Sequence, residues 1–440
     1  MLKKVVSLSA ICVSAVAFSQ QNVKQKLGNY IDSLYAHHKV SGSFAIAENG
    51  NFTFQKAVGF ADAEKNSKAN INTQYRVGSV TKMFTAVLMM KAVEENKVSL
   101  NQKLSEFYYE IPNAEKITLE QLLQHRTGIH NLTDEPEFWQ YYTKPQTEAD
   151  LIAIIKKYKS DFEPGSKHDY SNSNYILLGF ILEKIYKKPY AELLSSKITK
   201  PLKLKLTEIG GKIDSSKNQA KSFYFENGKY IAVPESDMSI PIGAGNLIST
   251  PTELIKFIQA LENGKLVTKE SLAKMKNFVD DYGYGLVNFP YEKTFGYGHT
   301  GGIDNFRTAL FYYPELKVAA AYVVNQTTVD TNEIFDKMIG ATQGKDFKMP
   351  NFNSMVSEDE LQKYVGTYSS KGISLKINIF IKDKELMAQA TGQSAFPLDA
   401  VSKTSFTFKM ANITIDFDPD KNLFVIEQGG VKTTFEKDKN

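Results

Sequence analysis

Cysteine is almost absent from this chain: its 440 residues hold one, Cys12. Arginine is nearly as scarce, with Arg76, Arg126 and Arg307 the only three among 53 basic side chains. A single cysteine excludes an internal disulfide framework, an iron–sulfur cluster and a thiolate zinc site. Scattered lysines at a net charge of +4 lack the clustered basic field that nucleic-acid binding needs. The six histidines, His37, His38, His125, His130, His168 and His299, have no metal-like spacing. No metal and no cofactor is expected. With 27 glycines and 14 prolines, collagen-like and low-complexity readings fall away. No apolar run reaches the roughly 20 residues needed to span a bilayer.

What is present is bulk for a core. There are 28 Phe and 23 Tyr, and 440 residues exceed one small module, so two domains are expected. Lys3 and Lys4 precede an apolar stretch from Val5 to Phe18, and Ala17 and Ser19 have the small-x-small look of a cleavage site. Residues 1–20 therefore read as a secretory signal peptide cut near Ser19 or Gln20. Cys12 lies inside it and follows Ile11, where a lipid-attachment site has a small residue. The mature chain would then be cysteine-free, periplasmic or secreted, and stabilised by a large core.

A helix is expected over 22–38, then strands at 43–47 and 52–58 around a Glu48-Asn49-Gly50-Asn51 turn. The apolar spacing of Met83, Phe84, Val87, Leu88 and Val93 predicts a helix over 79–96. Further helices are expected near 118–126, 147–158, 173–187 and 252–262, and strands near 283–287, 295–299, 304–313 and 317–324. Strands at both ends and helices between them suit an α/β or α+β sandwich with one mostly antiparallel sheet. After a helix at 331–340 the pattern changes near 350. Ile373, Leu375, Ile377, Ile379 and Ile381 alternate with period two, as do Phe406/Phe408 and Ile413/Ile415/Phe417. This predicts a small antiparallel β-barrel. The expected domains are 21–348 and 356–440.

Three motifs carry chemistry. Ser79-Val80-Thr81-Lys82 follows Gly78 at a helix start, and residues three apart share a helix face, so Lys82 can reach the Ser79 hydroxyl. A desolvated lysine can act as a neutral base, and a serine beside it is the minimum of covalent catalysis. Ser271-Leu272-Ala273-Lys274 repeats the spacing without a preceding glycine or a partner motif and is read as a surface decoy. The second motif is Tyr170-Ser171-Asn172, on a loop after Pro164-Gly165. A tyrosine can relay a proton, and an asparagine can accept from Lys82 while donating to a substrate carbonyl. The third is His299-Thr300-Gly301-Gly302 at the end of an edge strand, where glycines let another backbone approach. The N–H groups of Ser79 and Gly302 can then form an oxyanion hole.

In order and context these motifs resemble the serine β-lactamase and penicillin-binding-protein superfamily, and Tyr-x-Asn points to its class C β-lactamase-like branch. Leu122-Leu123-Gln124-His125-Arg126-Thr127-Gly128-Ile129, Phe162-Glu163-Pro164-Gly165 and Gly243-Ala244-Gly245-Asn246-Leu247-Ile248-Ser249-Thr250 are similar to further segments of that branch. The resemblance spans roughly residues 25–340. It implies a β-lactamase/transpeptidase-like sandwich. It assigns Ser79 as the acylated nucleophile and Lys82 and Tyr170 as the proton-transfer pair. Asn172, His299, Thr300, Gly301 and Gly302 become substrate-binding residues. His125 matches a family position and reads as structural, closing a helix before Thr127-Gly128. The implied partner is a small peptide, ester or amide substrate.

One departure matters. The family's Lys-Thr-Gly is His299-Thr300-Gly301 here. A lysine supplies a fixed charge for a substrate carboxylate, whereas a histidine, with a reference pKa of about 6.5, is mostly neutral at pH 7. That favours a D-amino-acid peptidase or esterase over a β-lactamase or D-alanyl-D-alanine carboxypeptidase. Arg307 would restore the charge if its side chain turned into the cleft. A non-catalytic penicillin- or muropeptide-binding sensor is the rival of another class. Leu361-x-x-Tyr364-Val365-Gly366-x-Tyr368 and Phe396-Pro397-Leu398 look like the lipocalin-like domain appended to such hydrolases. Such a barrel covers the active site or mediates homo-oligomer assembly in some relatives.

Overall fold

The computed structural model describes residues 22–226, 228–350, 356–382, 384–408 and 411–438. The leader expected over 1–20 lies outside them. The chain divides into two compact units. The larger takes the residues up to Tyr224, Tyr230–Thr327 and Thr331–Phe347. The smaller takes Lys348–Asn440 with the short stretches Phe225–Lys229 and Thr328–Asp330. Among the described residues no helix is long and apolar enough to cross a membrane.

The larger unit is organised by one six-stranded antiparallel sheet. A first helix, α1 (22–36), leads into strands β1 (Val40–Glu48) and β2 (Asn51–Val58). The remaining strands come some 230 residues later in the chain: β3 (Val287–Asn288), β4 (Tyr297–Ile303), β5 (Phe306–Tyr313) and β6 (Val318–Thr327). The order across the sheet is β3-β4-β5-β6-β1-β2. Strand β1 therefore pairs with β6, Phe44 opposite Tyr322, and joins the two ends of the unit as the hydrophobic pattern implied.

Helices fill the interval between the two sets of strands. They include α2 (Thr81–Glu94), α3 (Asn172–Tyr186) and α4 (Pro251–Glu262). Helix α4 starts where Thr250 accepts from the Glu253 N–H and Pro251 occupies the first turn. It lies against β1, β5 and β6, and its Phe257 stacks on Phe84 of α2 at 3.7 Å. A last helix, α5 (Thr331–Thr342), covers the other face, with Phe335 5.4 Å from Phe311. Helix α2 differs from its expected one-sided pattern. Every residue from Thr81 to Met90 is buried, so it is a central helix surrounded by protein.

Two strand boundaries also differ from expectation. Residues 283–286 form a loop, closed by Gly283 N–H to Leu286 O and Tyr284 N–H to Met275 O, not a strand. Strand β4 runs on through Gly301 and Gly302 to Ile303. Its glycines are needed mid-strand: a Cβ on Gly301 would stand 2.1 Å from the Val77 carbonyl oxygen.

The turn after β4 is held by a buried ion pair. Arg76 donates to Asp304 Oδ2 and to Ser236 O, both at 2.8 Å, and to Gly211 O at 2.8 Å. Asp304 Oδ1 in turn accepts from the Ser236 N–H and hydroxyl. Both charged side chains are almost fully buried. One arginine thus ties three loops together just before Ser79.

The smaller unit is a closed barrel of eight antiparallel strands. Each strand pairs with the next, and the first pairs with the last, Tyr368 opposite Lys437. Ile377, Ile379, Ile415, Phe417, Phe424 and Phe435 point inward and are buried. The alternation read from the sequence is thus the inward face of the barrel. Ile373 precedes its strand and is exposed.

Replacing Asp304 by Ala leaves Arg76 without its buried partner. The larger unit is expected to lose about 3–5 kcal/mol in urea unfolding. A loss under about 1 kcal/mol would show that Glu235, 3.2 Å from the same guanidinium, and the carbonyls hold Arg76 without Asp304.

Candidate active site

Ser79 sits in a single 3₁₀ turn, Gly78–Val80, that runs directly into α2. Gly78 takes φ +52°, and a Cβ there would lie 2.8 Å from the Gly302 nitrogen. A Cβ on Gly301 would lie 3.1 Å from the Ser79 nitrogen. The backbones of 77–79 and 301–302 therefore run in close contact, and only glycine fits at these two crossings.

One turn on, Lys82 is fully buried. Its Nζ lies 3.0 Å from Ser79 Oγ, 2.8 Å from Asn172 Oδ1 and 2.9 Å from the Ala244 carbonyl oxygen. All three are oxygens of neutral groups. Burial therefore holds the ammonium well below the ordinary lysine range. The amine form fits the contacts. Two carbonyl-type oxygens take its two N–H bonds, and its lone pair is left for the Ser79 hydroxyl proton.

Tyr170 approaches the same oxygen from the other side and donates to Ser79 Oγ at 2.7 Å. Burial raises its phenol above the usual range, so it stays protonated. With Lys82 as the amine, the hydrogens run in one line, Tyr170 O–H to Ser79 Oγ and Ser79 O–H to Lys82 Nζ.

Asn172 opens α3. Its N–H donates to Asn131 Oδ1 at 2.9 Å, and its Nδ2 donates to Thr133 Oγ1 at 3.1 Å. The second Nδ2 hydrogen remains for a ligand. The segment Asn131-Leu132-Thr133-Asp134, which holds Asn172 in place, carries no motif of its own in the sequence. Its only signal is a run of capping residues after the Thr127-Gly128 turn. Ala244 lies in the strap 241–246, within the segment Gly243–Thr250. Its contribution is a backbone oxygen.

His299 is enclosed by protein. Its side chain is 3% exposed and both ring nitrogens are engaged, Nδ1 with Thr300 O and Nε2 with Tyr282 Oη at 2.9 Å. Both nitrogens of this ring, expected to face a substrate, thus have protein partners. Burial lowers its pKa to about 3, so it carries no charge at neutral pH. Thr300 and Gly302 are exposed and Gly301 is half-buried.

Arg307 does not compensate. It alternates with Ala309 and Phe311 on β5, and Phe311 packs on Phe335 of α5. Gly301 and His299 pair with Thr308 and Leu310, which point to the opposite face. The guanidinium therefore leaves the sheet on the side away from Ser79, where it donates to Phe306 O.

The second Ser-x-x-Lys has none of this wiring. The Ser271 hydroxyl accepts from Thr268 at 3.1 Å, and exposed Lys274 pairs with Glu270. A hollow of about 760 Å³ is lined in part by Arg76, Glu183, Gly210, Glu235, Asp237 and Asn246. Ser79, Lys82 and Tyr170 do not line it. Among the described residues no cluster of His, Cys, Asp and Glu could hold a metal ion.

Comparison with known proteins agrees with this geometry. Over 275 residues the chain is 29% identical to a teichoic acid D-alanine hydrolase of Staphylococcus aureus, covering 61% of this chain and 68% of that protein. It is similar to the crystal structure of D-amino acid amidase from Ochrobactrum anthropi SV3. There the identity is 25% and the TM-score 0.64, over 72% of this chain and 98% of that one. The octameric penicillin-binding protein homologue from Pyrococcus abyssi shares the fold more widely. Its identity is 23% and its TM-score 0.66, over 93% of this chain and 99% of that one. The family model described as Beta-lactamase matches residues 20–342, nearly all of the larger unit. The chain thus belongs to the Beta-lactamase family and is a serine hydrolase that acts on amide or ester bonds.

Proposed function

We propose that this is an exported hydrolase that releases a D-amino acid, D-alanine above all, from an ester or amide through an acyl-enzyme on Ser79. One observation carries the reading. The Ser79 hydroxyl lies between a buried amine at 3.0 Å and a phenol at 2.7 Å. The relatives act on D-alanine and D-amino acid derivatives by their names, which supports the substrate class.

Lys82 takes the Ser79 proton as Oγ bonds to the substrate carbonyl carbon. The N–H groups of Ser79 and Gly302 receive the charge that develops on the carbonyl oxygen. Tyr170 protonates the departing oxygen or nitrogen and regains a proton from Lys82. The second Nδ2 hydrogen of Asn172 orients the acyl side. A water then repeats the sequence against the Ser79 ester, with the same pair activating it, and frees the acid. Neutral His299 and averted Arg307 leave no fixed cation for a substrate carboxylate.

Intact-mass analysis with a phosphonate probe tests the nucleophile. Rapid single labelling is expected, absent in Ser79→Ala and slowed roughly 10²–10⁴-fold in Lys82→Ala. Undiminished labelling in Ser79→Ala would remove the mechanism. A lasting β-lactam adduct without turnover would instead indicate a penicillin-binding sensor.

The rate of acylation should fall as pH falls, because only the free amine of Lys82 accepts the Ser79 proton. Since burial lowers that pKa, the limb is expected well below the ordinary lysine value of about 10.4. A limb at the ordinary lysine value would mean that Lys82 is solvated.

D-alanyl esters and amides without a free carboxylate are expected to exceed D-alanyl-D-alanine in kcat/KM by about 10- to 100-fold. That is the worth of one charge-assisted hydrogen bond the site lacks. A preference for the dipeptide would return carboxypeptidase activity to the front.

A further inference from the structure

Behind the reactive serine lies a chain of three side chains that the mechanism above does not use. His125 takes φ +55° at the end of the short helix Leu119–Leu123 and is fully buried. Its Nδ1 lies 3.2 Å from the Ser171 backbone nitrogen and 3.2 Å from Asn174 Nδ2. Its Nε2 lies 3.2 Å from Tyr282 Oη, and the same Oη lies 2.9 Å from His299 Nε2. His299 Nδ1 meets the Thr300 carbonyl.

The two ends of this chain fix every proton in it. A backbone N–H can only donate, so His125 Nδ1 is bare and Nε2 carries the hydrogen. A carbonyl oxygen can only accept, so His299 Nδ1 carries the hydrogen and Nε2 is bare. Tyr282 must then accept from His125 and donate to His299. The Tyr175 hydroxyl, which donates to Leu123 O at 2.8 Å, is a second hydrogen-bond neighbour of Tyr282 but supplies it no hydrogen, and the bare His299 Nε2 at 2.9 Å is the nitrogen acceptor for the Tyr282 O–H. The two histidines are neutral and of opposite tautomer. Lys82, Tyr170, Tyr175 and His168 are the titratable groups packed around them.

The ends also belong to the two walls of the site. Ser171 lies between Tyr170 and Asn172, and the Tyr170 ring rests on His125 at 4.3 Å. Thr300 adjoins Gly301 and Gly302 on β4. We propose that Tyr282 is a positioning residue whose single hydroxyl ties the wall bearing Tyr170 and Asn172 to the wall bearing Gly301 and Gly302. It touches neither Ser79 nor a bound substrate. Its effect on rate rests on the acyl-enzyme reading above, whereas the proton pattern does not.

The test has two arms. Long-range ¹H–¹⁵N spectra of the histidine side chains are recorded on the full chain at neutral pH. His37→Gln, His38→Gln, His130→Gln and His168→Gln, introduced singly, remove the other four signals in turn. The remaining pair is expected to be one Nε2–H and one Nδ1–H imidazole. Two identical tautomers, or an imidazolium, would overturn the proposal without any variant at Tyr282 having to fold.

The second arm is Tyr282→Phe, which keeps the ring and deletes both hydrogen bonds. The expected result is a fall of about 10- to 100-fold in kcat, or in the rate of Ser79 labelling, with KM within a few fold. The pair of histidine signals should move while the melting temperature changes little. Unchanged kcat with the opposite tautomers in place would sink the positioning role alone. Labelling that survives Ser79→Ala would sink the acyl-enzyme reading and leave the tautomers standing.

Discussion

Desolvation of one amine governs the layout of the larger unit. Lys82 lies in the first turn of a helix buried on all sides, so its charged form would have to be kept far from water. No carboxylate is among its polar contacts. It meets the oxygens of Ser79, Asn172 and Ala244, each neutral. Burial then favours the amine, and the amine has one lone pair to direct. The serine hydroxyl is the only one of the three partners that can supply a proton to it.

Keeping those oxygens in place takes material from distant parts of the chain. The Ala244 carbonyl belongs to a strap that also receives Thr85 at Gly243 O and gives the Leu247 N–H to Thr81. Asn172 is pinned by Asn131 and Thr133. Arg76, three residues before Ser79, anchors the turn after β4 through Asp304. Serine, strap, helix start and edge strand are thus held by separate polar networks, each buried enough to be costly to break.

Much of this could be read from the residues alone, and the reasons differ by feature. The spacing of Ser79 and Lys82 is local, so helix geometry predicts their contact. The alternation of Ile377, Ile379, Ile413 and Ile415 is likewise local, and it foretold the barrel. Ala244 contributes a main-chain oxygen, which leaves no trace in residue type. Tyr282 is one of 23 tyrosines, and only the fold brings it between two histidines. The direction of Arg307 turns on strand parity, which a one-residue shift of register reverses. The expected strand end at 299 falls four residues short, because β4 continues through Gly301 and Gly302, where the backbone of 77–79 crosses it.

The pairing of β1 with β6 has a consequence in time. Phe44 waits for Tyr322, about 280 residues later, before the centre of the sheet exists. Loop closure on that scale must be met before any of the sheet's non-local contacts reward it. An emerging chain therefore holds helices and hairpins, but no assembled sheet, until residues near 327 are available. The barrel is built the other way, each strand meeting its neighbour in sequence, with one closing pair at the end. The larger unit thus completes its sheet only near the end of its own length, and Ser79 and its neighbours are assembled only when almost all of that unit is present.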